Sequence, residues 1–334
     1  MASFSQFGND LYTGKRSVDF VGRRRTWYLI SIAIILLTVL GTAARGGFNF
    51  SIEFTGGSEF TVTSPSSLDQ AAATDAVTSV SADAVPRVSV VGDDSIRVQT
   101  SQLSTDESTA VRNALAEAYS VPNDQVASSF IGAAWGSDVT QQAVRGLIIF
   151  VVLAALAMWA YFRTWKMSLA AIVALLHDLV IVAGVYGITG TEVSPAAVIG
   201  LLTILGYSLY DTVVVFDKIR ENTAEALGST TKTFSETVNL AENQTLVRSI
   251  NTSIVAALPV AAILVIGAFV LGAGTLRDIS LALLIGIIVG TYSTIFVAAP
   301  LYAQLRSREA DVAKHDKRVV TARERAVTPV VQGS

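Results

Sequence analysis

The sequence predicts a membrane protein: an all-α bundle of six transmembrane helices with an inserted α+β domain of ferredoxin-like order on the outer, extracytoplasmic side. Three observations predict it. Of 334 residues, 51% are hydrophobic and 15% are charged, and the mean hydropathy is +0.52, above the range of soluble domains. Six apolar runs are each long enough to cross about 30 Å of hydrocarbon. Between the first and second of them, residues 45–142 turn hydrophilic and acidic and change from helical periodicity to alternation. The rest of the composition excludes other classes. There are no cysteines and two distant histidines, His177 and His315, which argues against disulfides, thiolate metal sites and an ordinary zinc site. A net charge of -3 with no basic patch interleaved with aromatics argues against nucleic acid.

Residues 1–25 read as a cytoplasmic segment, with Phe4, Phe7, Leu11 and Tyr12 at rough helical spacing before Arg23, Arg24 and Arg25. A short interfacial helix fits. The apolar run that follows, 26–44, has the charged flank of a signal peptide, but its length and the later spans make it an uncleaved first crossing. In the outer domain, SEFTVTS alternates as a strand and SLDQAAATDAVTSV as an amphipathic helix. PRVSVVGDDSIRVQT gives two strands around a Gly92-Asp93-Asp94 turn, Thr105 to Tyr119 a second helix capped by Ser104 or Thr105, and QVASSFI a last strand. The order β-α-β-β-α-β is the ferredoxin-like one. Residues 143–303 then form the remaining bundle, with apolar runs at 143–162, 168–189, 194–216, 249–271 and 279–301, and a cytoplasmic loop at 218–247. The charged tail, 304–334, is expected to be unstructured.

Placing both termini in the cytoplasm leaves 17 of the 24 lysines and arginines on that side, five outside and two, Arg145 and Arg248, within spans. The positive-inside rule therefore orients the chain, and the α+β domain faces outward.

Arg145 lies at the edge of its span, and the ionisable groups deeper in are Asp178 beside His177, Asp211 in the run GYSLYDTVVVFDKIRE, and Arg248 near the start of the fifth. A charge at the centre of a spanning helix costs about 2.5–3.5 kcal/mol on insertion scales, so each is paired, neutral or functional. Asp211 precedes the boundary residue Asp217 by six positions, roughly 9 Å of helix. Arg248 enters the next span from the same side, so the two can meet. An opposite charge lowers a carboxyl pKa and burial raises it, which makes Asp211 a switchable group; the alternative is a static ion pair holding two helices together. Ser208, Asn251 and Thr252 lie three or four residues from these charges and either line a narrow polar path or make ordinary interhelical hydrogen bonds. His177 with Asp178 is either a relay or a local structural pair. Gly56-Gly57, between the first span and the outer domain, is either a hinge or a tight turn. No cofactor or metal is expected.

Four motifs carry a resemblance: DFVGRRRTWY (Asp19 to Tyr28), FTGG (Phe54 to Gly57), GYSLYDTVVVFDKIREN (Gly206 to Asn222) and NQTLVRSINTS (Asn243 to Ser253). In this order they resemble the SecF family of bacterial protein-translocation subunits, within the resistance-nodulation-division superfamily. Glu53, Tyr210 and Lys218 depart from that family's usual residues. The resemblance implies that Asp211 and Arg248 serve proton-dependent function. It implies a bacterial plasma-membrane location and partners: SecD, the SecYEG channel, YajC, unfolded preproteins and protons. It implies no enzyme activity. The expected function is an accessory one: with SecD, to use the proton motive force to promote preprotein translocation and release outside. Two rivals remain at this stage, a proton-coupled lipid or small-molecule exporter of the same superfamily and an intramembrane aspartyl protease built on Asp178 and Asp211. The second lacks the Gly-x-Gly-Asp element such a protease needs.

Overall fold

The structure, a computed structural model, describes residues 4–267 and 273–327. A first short helix, α1 (Phe4–Tyr12), precedes α2 (Arg24–Ala44), the first of six helices long and apolar enough to cross a membrane among the described residues. After α2 come β1 (Asn49–Phe50) and the single turn α3 (Ile52–Thr55). The inserted domain follows as β2 (Gly57–Thr63), α4 (Gln70–Val80), β3 (Arg87–Val91), β4 (Ser95–Thr100), α5 (Thr105–Ala118) and β5 (Val126–Ile131). Its sheet is antiparallel in the order β3-β4-β2-β5. Register explains its core. Phe60 pairs with Val98 and Val62 with Ile96, so alternate residues of both strands turn to one face, where they meet Val77 of α4 and Val111 and Leu115 of α5. Asp69 caps α4 through its side chain, and Ser104 with Glu107 closes a capping box on α5. The Ser104 hydroxyl holds the Glu107 carboxyl below its ordinary pKa.

The bundle continues with α6 (Ala133–Phe162), α7 (Trp165–Thr189), the short strand β6 (Glu192–Val193), α8 (Pro195–Ala226), α9 (Phe234–Val265) and α10 (Gly274–Ser293). A π-helical stretch, Thr294–Ala298, carries α10 into α11 (Ala299–Arg306), and α12 (Ala310–Val327) closes the chain. Lipid tails are as apolar as leucine, so association within the membrane depends on close packing and interhelical hydrogen bonds. The largest apolar cluster joins Phe162, Met167, Phe216, Ile219, Phe234, Val238 and Tyr302 with Val312 of α12.

Four boundaries differ from the sequence reading. Helix α6 begins at Ala133, ten residues before the apolar run, so one helix carries the chain from the inserted domain into the membrane. Helix α8 runs on to Ala226 and α9 starts at Phe234, so most of the expected 218–247 loop is helix. The cause is local: Thr233 and Glu236 form a capping box, and the helix then continues through polar residues that hydropathy alone does not score. The tail expected to be unstructured forms α12, with Val312, His315 and Val319 buried on one face. Its charges sit on the other face and hide the period in an average. The expected ends at 271 and 334 lie outside the described residues.

Inserted domain and bundle are fastened together. Strand β1 pairs in parallel with β6. Arg97 on β4 binds Glu192 at 2.6 Å, and Gln99 donates to Glu192 at 2.8 Å and to Glu59 at 2.9 Å. Gly56 and Gly57 sit where this seam is tightest. Their φ values are +74° and +148°, and a Cβ on Gly57 would lie 2.4 Å from the Thr100 carbonyl; only glycine fits. On the opposite side, Asn239 and Asn243 of α9 bind the backbone of Val18, Phe20 and Val21, holding the residues between α1 and α2 against α9.

Candidate functional site

Four crossings bring polar side chains together in the bundle: α7, α8, α9 and α10 with its π-helical continuation. On α7, Asp178 is 3% exposed and lies 3.1 Å from the Nδ1 of His177. Its other oxygen accepts a 2.6 Å bond from the Ser208 hydroxyl of α8. Gly290 of α10 makes room for this contact, since a Cβ there would lie 3.0 Å from the Ser208 hydroxyl. The His177 ring stacks on Tyr292, whose hydroxyl donates to the Trp27 carbonyl and bonds with Ser31 on α2. The Nε2 of His177 is buried without a partner.

One turn beyond Ser208, Asp211 is 6% exposed. Its Oδ1 accepts a 2.8 Å bond from the Ser249 hydroxyl of α9, and its Oδ2 is buried with no partner. The adjacent Thr212 bonds with Thr294 at the start of the π-helical stretch, at 3.0 Å, and Ser253 of α9 bonds with Thr291 of α10. A carboxyl in hydrocarbon with one hydroxyl donor and one bare oxygen can hold or release a proton as its surroundings change.

Of the residues singled out in the sequence, Asp178, His177 and Ser208 meet in one cluster, and Asp211 lies on the same face of α8 as Ser208. Arg248 makes no direct bond to them, and its charge reaches Asp211 only over a longer distance. It is exposed, and it forms no ion pair within 4.0 Å among the described residues. The expected Asp211–Arg248 pair is therefore not made in this arrangement, and Ser249 takes its place. Successive residues of a helix point about 100° apart, so Arg248 and Ser249 cannot both face α8. Asn251 follows Arg248 onto the exposed side, Thr252 is half-buried, and the hydroxyl bound to Asp211 is that of Ser249. No hydrogen bond joins Asp178 to Asp211, each of which is bound to a hydroxyl, so the shared-proton geometry of an aspartyl dyad is not formed. Among the described residues, no group of three or more His, Cys, Asp or Glu could hold a metal ion.

Sequence reasoning missed Ser249, Thr212, Thr294, Gly290 and Tyr292. A helical wheel drawn back from Ser253 would have found Ser249; the aromatic and glycine contacts depend on which helices are neighbours, which no single run reveals. It also missed Glu242, buried on α9, because the membrane segment was expected to begin at Ser249.

A family model described as "Protein export membrane protein SecD/SecF, C-terminal" matches residues 110–308, and a "SecD/SecF GG Motif" model matches residues 45–64. A relative named "Protein translocase subunit SecF" from Streptomyces coelicolor is 43% identical over 326 residues, covering 97% of this chain and 86% of its own. A subunit of the same name from Mycobacterium tuberculosis is 43% identical over 328 residues, covering 95% of this chain and 73% of its own. The crystal structure of the translocon-associated membrane protein SecDF from a Thermus species superposes with a TM-score of 0.76 at 31% identity, over 88% of this chain and 39% of that one. A second crystal structure, of SecDF in a super-membrane-facing form, superposes at 0.61 with 30% identity over 94% of this chain.

Proposed function

Because this chain belongs to the SecF family of protein translocase subunits, we propose that it is an accessory subunit of Sec protein export in a bacterial plasma membrane. Acting with SecD, it uses the proton gradient to promote preprotein translocation and release on the outer side. The observation that carries the reading is Asp211, a carboxyl buried inside a crossing with one bare oxygen and one hydroxyl partner. Each charge that crosses 100 mV gains about 2.3 kcal/mol, enough to bias a packed bundle between two arrangements.

Partnership with SecD rests on the fused relatives, of which this chain spans 39%. The exposed side of α9 offers a face for that partner: Arg248, Asn251, Val255 and Leu258 recur at helical spacing, and a guanidinium in lipid needs an acidic neighbour. In this reading Asp211 releases its proton when the partner's movement brings a cation to its bare oxygen, and both termini face the cytoplasm as the positive charges place them. The inserted domain is read as ferredoxin-like on its β-α-β-β-α-β order, and it works as the lever that meets preprotein near SecYEG, with YajC as a further associate. Gly56-Gly57 sits at the seam where lever and bundle join. The exporter reading is not favoured, since the named relatives are translocase subunits. The test is gradient-driven preprotein translocation in proteoliposomes. Asp211→Asn is expected to lose the gradient-dependent part while leaving the protein folded; export equal to the unaltered protein would remove the coupling role.

A further inference from the structure

We propose that Glu242 is a second proton-holding carboxyl, the station through which a proton from Asp211 reaches the cytoplasmic water. The proposal rests on the coupling role of Asp211. Glu242 is 1% exposed, and both of its carboxylate oxygens are buried without a hydrogen-bond partner. Among the described residues no other carboxyl has both oxygens so placed. Burying such a group costs stability unless it is neutral or served by water, so packing gives no reason for it.

Its position on α9 gives one. Seven residues separate Glu242 from Ser249, close to two turns, so both lie on one face about 10.5 Å apart along the axis. Thr245 lies between them on the same side, and Ser253 extends the row; these residues are 7%, 1% and 9% exposed in the order Thr245, Ser249, Ser253. A buried polar stripe therefore runs from Glu242 to the hydroxyl that holds Asp211. At its cytoplasmic end the stripe comes within electrostatic reach of Tyr28 of α2, whose hydroxyl is also buried without a partner. The charged and titratable groups around the stripe are Tyr28 and Arg24 on α2, Tyr207 and Asp211 on α8, and Arg248 on α9 itself, next to Ser249. Glu236, nearer the cytoplasm on α9, is already held by Arg323.

The step balances. The O–H bond at Asp211 breaks and one forms at a Glu242 oxygen, while water molecules and the Ser249 and Thr245 hydroxyls between them each take one proton and pass one on. Asp211 is left as the carboxylate and Glu242 as the neutral acid, which then gives its proton to bulk water.

The test uses the full chain co-purified with its SecD partner in proteoliposomes, as the unaltered protein, Glu242→Gln, Glu242→Asp and Asp211→Asn. Infrared difference spectra after a pH jump, in water and in deuterium oxide, read the carbonyl stretch of protonated carboxyls; translocation is measured on the same vesicles. Glu242→Gln is expected to remove one deuterium-sensitive band distinct from the band lost in Asp211→Asn. It is also expected to slow gradient-driven translocation about a hundredfold, the lower end of what a positioned proton-transfer group contributes. Glu242→Asp, which keeps the carboxyl, recovers part of the rate and carries the test if Glu242→Gln does not accumulate. An unchanged spectrum in Glu242→Gln, or translocation equal to the unaltered protein, overturns the station while leaving Asp211 untouched. Loss of the band with full translocation also overturns it, as a structural acid. Full activity in Asp211→Asn removes the coupling on which the station depends.

Discussion

Arg248 and Ser249 are neighbours in the chain, and a turn of about 100° leaves the first exposed and the second buried against Asp211. The sequence marked the arginine, because a charge in an apolar run is conspicuous, and passed over the serine that holds Asp211. Asp178, His177, Ser208 and Asp211 were legible for a plain reason: each is polar where hydropathy demands otherwise. Which of them touch was not legible, since helical phase decides that and a shift of one residue turns a side chain by about 100°. A second single-residue effect concerns the glycine pair. At Gly57 the positive φ and the 2.4 Å approach of the Thr100 carbonyl act together. Gly57→Ala is expected to destabilise the seam by about 1–3 kcal/mol, read as a lower melting temperature of the purified protein; an unchanged melt would mean the backbone there relaxes freely.

Helices were read well where they are apolar and poorly where they leave the membrane. Apolar runs locate α2, α7 and the central part of α8, but α9 begins 15 residues ahead of the run at 249 that announced it. Its first half is held by a cap, by Phe234 and Val238 in the apolar cluster, and by asparagines bonded to a distant segment, none of which a hydropathy window registers. Asn239 accepts from the backbone of Phe20 and Val21 and donates to the Val18 carbonyl. Asn239→Ala leaves the Phe20 and Val21 N–H groups unpaired while the Val18 carbonyl keeps Asn243, at a cost of about 1–3 kcal/mol. The residues between α1 and α2 should then detach, and trypsin should cut at Arg23, Arg24 or Arg25 sooner than in the unaltered protein. Equal cleavage rates would show that the two asparagines are redundant.

Across the whole molecule, the alternation that predicted strands and the periodicity that predicted helices placed the inserted domain between the first two crossings, where it is found. The joint between the two parts was not legible, because it is built from a two-residue strand after α2 and another between α7 and α8, each too short to have a pattern. Glu192 is the hub of that joint, bound by Arg97 and Gln99 of the inserted domain's sheet. Glu192→Ala is expected to separate the thermal unfolding of the inserted domain from that of the bundle, giving two transitions where the unaltered protein gives one. In a double-mutant cycle with Arg97→Ala, the coupling should be about 0.5–3 kcal/mol. Additive losses would mean that the ion pair contributes nothing to the joint.

The pairing of β1 with β6 also has a mechanical consequence. A tug on the inserted domain, directed away from the bilayer, is not borne by one string of residues after the first crossing. It is divided among that string, the continuous helix α6, and the ladder to the turn between α7 and α8. Three moorings resist tilting far better than one. A load applied at the sheet therefore arrives at the root of α8, the rod on which Asp211 rides.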